Sequence, residues 1–155
     1  MKRFVRHVAT LGPVGYSPVV PATMGSALTV VVGWFLPAPP LSWTLPLLLL
    51  GASAAVWVTG RAERDLGPDA HPIVVDEVIG QTVALLGVPH SLPAFFTAFA
   101  LFRLCDIWKP LGARQAESLA GGLGVVGDDV IAGLTACGAF HLFVWGMRAL
   151  GWMRP

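Results

Sequence analysis

The sequence predicts an all-α, polytopic membrane helix bundle, and three observations carry that expectation. Hydrophobic residues make up 55% of the 155 and charged residues only 12%, against roughly 25% charged in ordinary domains. The mean hydropathy is +0.70, so lipid is a better solvent than water for this much apolar surface. The apolar residues also fall into five separate runs, which predicts four to five transmembrane helices in one domain, 1–155.

The runs are Met24–Leu36, Leu41–Thr59, Ile73–Val88, Leu92–Trp108 and Val125–Met147. A spanning helix needs about 20 apolar residues. The second and fifth runs meet that length. The first and third are short, so the first is either re-entrant or begins in the preceding loop. Ahead of them, Lys2, Arg3 and Arg6 are basic, but no apolar run with a small-residue cleavage site follows, so no cleavable signal is expected. Cys105 and Cys137 sit inside apolar runs and read as small buried hydrophobes rather than a disulfide.

Every second connection is basic. The N-terminus has its three cations, Arg61 and Arg64 lie between runs two and three, and Lys109 and Arg114 lie between runs four and five. Pro37–Pro40 and Pro89–Ser91 carry no formal charge. The positive-inside rule therefore puts the N-terminus and the two basic loops in the cytoplasm. Arg148 and Arg154 fall on the opposite side, a mild conflict. Trp34, Trp43, Trp57, Trp108 and Trp145 lie near run ends, as interfacial anchors do. Nucleic-acid binding is excluded by the lack of a basic stripe.

Charges inside apolar runs are costly, roughly 2.5–3.5 kcal/mol each at mid-bilayer. This chain places Asp76 and Glu77 at the start of run three, Arg103 and Asp106 near the end of run four with Lys109 just beyond, and Asp128 and Asp129 at the start of run five. In the predicted topology all of these lie on the cytoplasmic side, as does the Gly15–Ser26 loop. Taken singly, each has a plain structural account: first-turn acids favour a helix dipole, Arg103 and Asp106 form an ion pair, and Lys109 snorkels. His71 and His141 read as structural. The convergence of four separated polar segments at one face is what those accounts leave unexplained. Asp76 and Gly80 are four apart, as are Asp129 and Gly133, so a small residue one turn beyond each acid lets helices approach closely.

Five acids against two bases leave a formal excess of three negative charges at these positions. A divalent cation resolves the repulsion and allows a phosphate to approach. Oxygen donors without a histidine or cysteine cluster favour magnesium over zinc, with Asp76, Glu77, Asp106, Asp128 and Asp129 as candidate ligands. Arg103 and Lys109 are candidates to neutralise charge in phosphoryl transfer. Backbone N–H groups at Gly121, Gly122 and Gly124, and the Ser17–Ser26 loop, offer phosphate contacts. Absent motifs exclude a cysteine-dependent phosphatase, a haloacid-dehalogenase type, a histidine-based lipid phosphatase and a P-loop NTPase.

Four segments then align with a known family. Ser17-Pro-Val-Val-Pro-Ala-Thr-Met-Gly-Ser26, Ile73-Val-Val-Asp-Glu-Val-Ile-Gly80, Phe102-Arg-Leu-Cys-Asp-Ile-Trp-Lys-Pro110 and Gly121-Gly-Leu-Gly-Val-Val-Gly-Asp-Asp-Val-Ile-Ala-Gly133 together resemble phosphatidylglycerophosphatase A, in order, from about Gly15 to Gly133. The resemblance implies a magnesium-dependent phosphatase of the bacterial inner membrane that converts phosphatidylglycerophosphate to phosphatidylglycerol and inorganic phosphate. Carried over by position, its functional residues are Asp76, Glu77, Arg103, Asp106, Lys109, Asp128 and Asp129, with Thr23 and Ser26 beside them. The family's Lys-Pro-x-Pro is Lys109-Pro110-Leu111-Gly112 here, and its Pro-Gly-Thr is Pro21-Ala22-Thr23. Both changes spare every carboxylate and bear on loop geometry and substrate preference.

Water activated by the metal is the preferred nucleophile, with an aspartyl-phosphate intermediate left open. Two other readings stand beside this one. The first is a phosphatase for another lipid phosphate, such as a polyprenyl pyrophosphate. The second is a small ion-coupled transporter, which the apolar far halves of the runs disfavour.

Overall fold

The structure is a computed structural model that describes residues 2–36, 39–110 and 112–152. Pro37 and Ala38 of the first uncharged link, Leu111 of the Lys109–Gly112 segment, and Arg154 lie outside the described residues. The elements are α1 (Lys2–Ala9), α2 (Pro21–Phe35), α3 (Leu41–Leu66), α4 (Val75–Ala84), α5 (Leu92–Trp108), α6 (Ala113–Glu117) and α7 (Gly122–Ala149), with a 3-10 turn at Val14–Tyr16. All regular structure among the described residues is helical, as the sequence predicts.

Local chemistry sets the boundaries. Pro21 opens α2, where a missing N–H costs nothing. The turn after α3 needs Gly67 at φ 103°, whose N–H bonds to Glu63 O at 2.8 Å. α5 stops at Lys109, in a left-handed conformation immediately before Pro110. Its extent, Leu92–Trp108, coincides with the fourth apolar run.

The third run behaves differently. Ile73–Val88 is expected to form a span, yet α4 holds 10 residues. At the helical rise that is about 15 Å, half of a hydrocarbon core of about 30 Å. Two features shorten it. At its start the Val74 N–H is committed to Ala9 O at 2.9 Å. At its end the chain turns through Gly87 at φ 68° and into Pro89. Among the described residues, Ser42–Leu66 and Gly122–Ala149 are long and apolar enough to cross a membrane, and Pro21–Phe35 is a shorter apolar helix. The two long helices present Leu49, Leu50, Trp57, Leu142 and Trp145 outward, which is the surface of a membrane-associated chain.

α7 is the centre of the bundle and touches α3, α4, α5 and α6. α2 packs on α4 and α5, and α1 packs on α3. Between α4 and α7 the backbones are nearly in contact. A Cβ at Gly133 would collide with Gly80 O, and one at Gly80 would lie 2.7 Å from Asp129 O. The close approach expected one turn beyond each acid is therefore present. Ala84, Phe102, Cys105, Ala132 and Ala136 fill the α4–α5–α7 interface, while Ala55, Ile79 and Val126 join α3, α4 and α7. Cys105 and Cys137 are both free thiols.

Candidate metal and phosphate site

Asp76 and Glu77 stand in the first turn of α4, and Asp128 and Asp129 on the second turn of α7. All four are buried. One oxygen each from Asp76, Glu77 and Asp129 lies within 4.8 Å of the others. The Gly80–Gly133 crossing makes this possible, because it lets two helices deliver carboxylates to one point. Asp76 Oδ1, Glu77 Oε2 and Asp129 Oδ2 are buried without a hydrogen-bond partner among the described residues. Three bare carboxylates in a dry site repel one another, and each forfeits several kcal/mol of hydration. An all-oxygen donor set of this kind fits a hard divalent cation.

Each of the other two expected ligands also holds a cation. Asp106 Oδ2 pairs with Arg103 Nη2 at 3.1 Å. Asp128 Oδ2 accepts from Lys109 Nζ at 2.7 Å, and its Oδ1 accepts the Asp129 N–H at 2.9 Å. Lys109 also reaches Glu117 Oε1 at 2.9 Å. Burial works against the Lys109 charge, but the hydrogen bonds to Asp128 and Glu117 outweigh it and hold the ammonium above its ordinary range. Arg103 donates to Ser26 Oγ at 3.2 Å, and its Nε is buried with no partner among the described residues.

The expected phosphate-contact residues divide further. Ser26 is fully buried, donates to Ala22 O at 3.1 Å and anchors Arg103. Thr23 is half-buried in the first turn of α2. Ser17 uses its hydroxyl on Val19 O within its own turn. Gly121 has φ 62°, and a Cβ at Gly122 or Gly124 would strike Val56 O or Leu119 O. These glycines let the start of α7 lie against α3 and the preceding turn. His141 meets Leu86 O at 2.8 Å, a structural contact far from the acids.

A family model described as phosphatidylglycerophosphatase A matches residues 7–144. The chain belongs to the phosphatidylglycerophosphatase A family. Its relatives include a protein of Bacteroides thetaiotaomicron with a provisional name as a phosphatidylinositol-3-phosphatase, 40% identical over 77% of this chain and 80% of that protein. A phosphatidylglycerophosphatase A of Escherichia coli is 36% identical over 82% of this chain and 76% of its own length. Another, of Haemophilus influenzae, is 36% identical over 62% and 58%. No solved structure matches the chain. The resemblance read from the four motifs is borne out, and membership makes this chain a phosphatase of the phosphatidylglycerophosphatase A family.

Two parts of the site escaped the sequence reading. Glu117 lies on α6, whose Ala-Arg-Gln-Ala-Glu run of good helix formers was its signal. Gln81 lies one turn beyond Glu77, fully buried, with both amide atoms lacking partners among the described residues. Its signal was a lone polar residue four positions from an acid inside an apolar run.

Proposed function

We propose that the chain hydrolyses the terminal phosphomonoester of phosphatidylglycerophosphate, with magnesium held by Asp76, Glu77 and Asp129. The observation that supports this most is that three buried carboxylates from two helices meet with free oxygens, in a chain of this family. Magnesium bound there would offset the clustered negative charge and polarise the phosphate.

The chain's own groups do the rest. Asp106 and Ser26 fix the Arg103 guanidinium and leave its Nε free to donate to a phosphate oxygen. Asp128 and Glu117 fix Lys109 as a second permanent cation at the rim. Ser26 and Thr23 line the substrate side, and Gly121, Gly122 and Gly124 shape the entry of α7. In hydrolysis, the oxygen of water bonds to phosphorus, the ester P–O bond breaks and the glycerol oxygen leaves as a hydroxyl. Labelled phosphate trapped on an aspartate during turnover would replace water with that side chain as the nucleophile.

The proposed topology has α2, α3, α5 and α7 crossing a bacterial inner membrane, with α4 as a half-crossing in a single domain. The N-terminus and the acids face the cytoplasm. At the opposite end Trp34, His90 and Phe95 stack around a link that has no Lys, Arg, Asp or Glu, which supports that polarity.

The test is phosphate release by the detergent-purified protein, with magnesium and with excess chelator. Release from phosphatidylglycerophosphate that chelator stops and magnesium restores is the expected result. Phosphatidylinositol 3-phosphate and a polyprenyl pyrophosphate belong in the same panel, the first because of the Bacteroides relative. Preference for either would replace the substrate and keep the site.

A further inference from the structure

Because α4 ends at Ala84 while α2 and α5 continue, a groove of about 720 Å³ opens beside it. Leu28 and Val32 of α2 form one wall, and Val78 of α4 with Leu85 just beyond it the other. The turn from Leu86 to Val88 closes the far end. From Val78 to Leu85 and from Leu28 to Leu36 the walls descend about 10 and about 12 Å at the helical rise. The groove begins at the site, since Val78 follows Glu77 directly and Leu28 lies half a turn beyond Ser26.

Its lining is apolar in a specific way. Four polar side chains border it, and each is already bonded to backbone. Thr29 donates to Gly25 O at 3.0 Å and Thr82 to Val78 O at 2.6 Å. Thr44 donates to Pro39 O at 2.9 Å, and His90 bonds to Trp34 O at 2.9 Å. Among the described residues no lining hydroxyl is left free to donate to a headgroup, whereas a hydrocarbon chain loses nothing by entering.

We propose that this groove holds one acyl chain of the phospholipid substrate while its phosphate lies at Asp76, Glu77 and Asp129. The inference rests on the lipid-phosphatase reading above. An acyl chain passing from bilayer to groove exchanges one apolar surrounding for another, so the groove contributes position rather than affinity. Seating the chain fixes the depth and direction of the headgroup relative to the acids.

The experiment compares diacyl phosphatidylglycerophosphate with the same headgroup after deacylation. Thr82→Phe fills the groove from α4. Gly33→Leu fills it from α2, where a Cβ makes only ordinary contacts, 3.5 Å from Leu85 Cδ1 and 3.8 Å from Phe95 Cε1. Each is expected to lower the ratio of kcat/KM for the diacyl over the deacylated substrate by roughly tenfold, since a misplacement of about 1 Å at a reacting centre is worth up to a hundredfold. Leu49→Phe, on the outer face of α3, is expected to leave the ratio unchanged. An unchanged ratio in both groove variants overturns the proposal.

Wild-type protein supplies a second readout that does not depend on variant folding. A diazirine on the acyl chain should label α2 and α4, and labelling spread evenly over the outer faces of α3 and α7 would mean bulk lipid contact only. If the wild-type protein releases phosphate from neither substrate, the phosphatidylglycerophosphate reading fails. The labelling pattern still decides the groove.

Discussion

Adjacent helical residues project about 100° apart, and Asp128 and Asp129 show what that separates. Asp129 offers a buried free oxygen to the carboxylate cluster, whereas both oxygens of Asp128 are engaged by Lys109 and by the next N–H. Asp129→Asn is therefore expected to abolish phosphate release while leaving detergent-extracted yield and the unfolding transition unchanged. Asp128→Asn should retain measurable turnover, reduced by about ten- to hundredfold, the usual effect of losing a group that orients the groups around a metal. Equal loss in the two variants would assign both acids the same role. Lys109 gives a pH expectation. Its raised pKa means that its ion pairs persist below its ordinary value of 10.5 and are lost only as pH rises above it. A rate profile between pH 6 and 9 should consequently have the same shape in wild type and Lys109→Arg. That acids from separate runs come together was legible in the sequence. Their division into a bare cluster and two cation partners was not, because run boundaries fix the depth of a residue and not its azimuth on the helix.

At the scale of elements, the α4–α7 crossing has no spare room. Gly133→Ala would drive a methyl group into Gly80 O, and such overpacking typically costs about 1–3 kcal/mol. The expected outcome is a lower midpoint in denaturant titration together with lost turnover, because the same shift separates Asp129 from Asp76 and Glu77. Gly138→Ala, further along α7 with open space at its Cβ, is the matched control. Hydropathy located the long elements well. The fourth run coincides with α5, and the second and fifth extend outward by a few residues into α3 and α7. It overestimated α4, since a hydropathy run does not register that Val74 is bonded to Ala9 or that Gly87 turns the chain. α1 and α6 went unread for the opposite reason: eight and five residues, with polar side chains interspersed, make no apolar run.

For the whole molecule, the proposed orientation puts α1, the α3–α4 link and the α5–α7 link on one side. Single cysteines in a Cys105→Ser/Cys137→Ser background, at Glu63 and Arg114, should react with an impermeant maleimide only from the cytoplasmic side of inverted vesicles. A cysteine at His90 should react only from the other side. Reaction of all three from one side would remove the alternation on which the topology rests. Trp43, Trp108 and Trp145 are largely exposed on the bundle surface.

The glycine contact between α4 and α7 also implies that the peptide chain between them is dispensable for catalysis. Cleaving the backbone in the turn at 86–90 leaves Asp76 and Glu77 on one fragment and Asp129 on the other. Neither piece alone holds all three carboxylates of the cluster, yet nothing in the Gly80–Gly133 fit requires a covalent link. Co-expressed halves should regain phosphate release in proportion to their docking, which would make catalysis a genetic complementation assay for helix association in a bilayer.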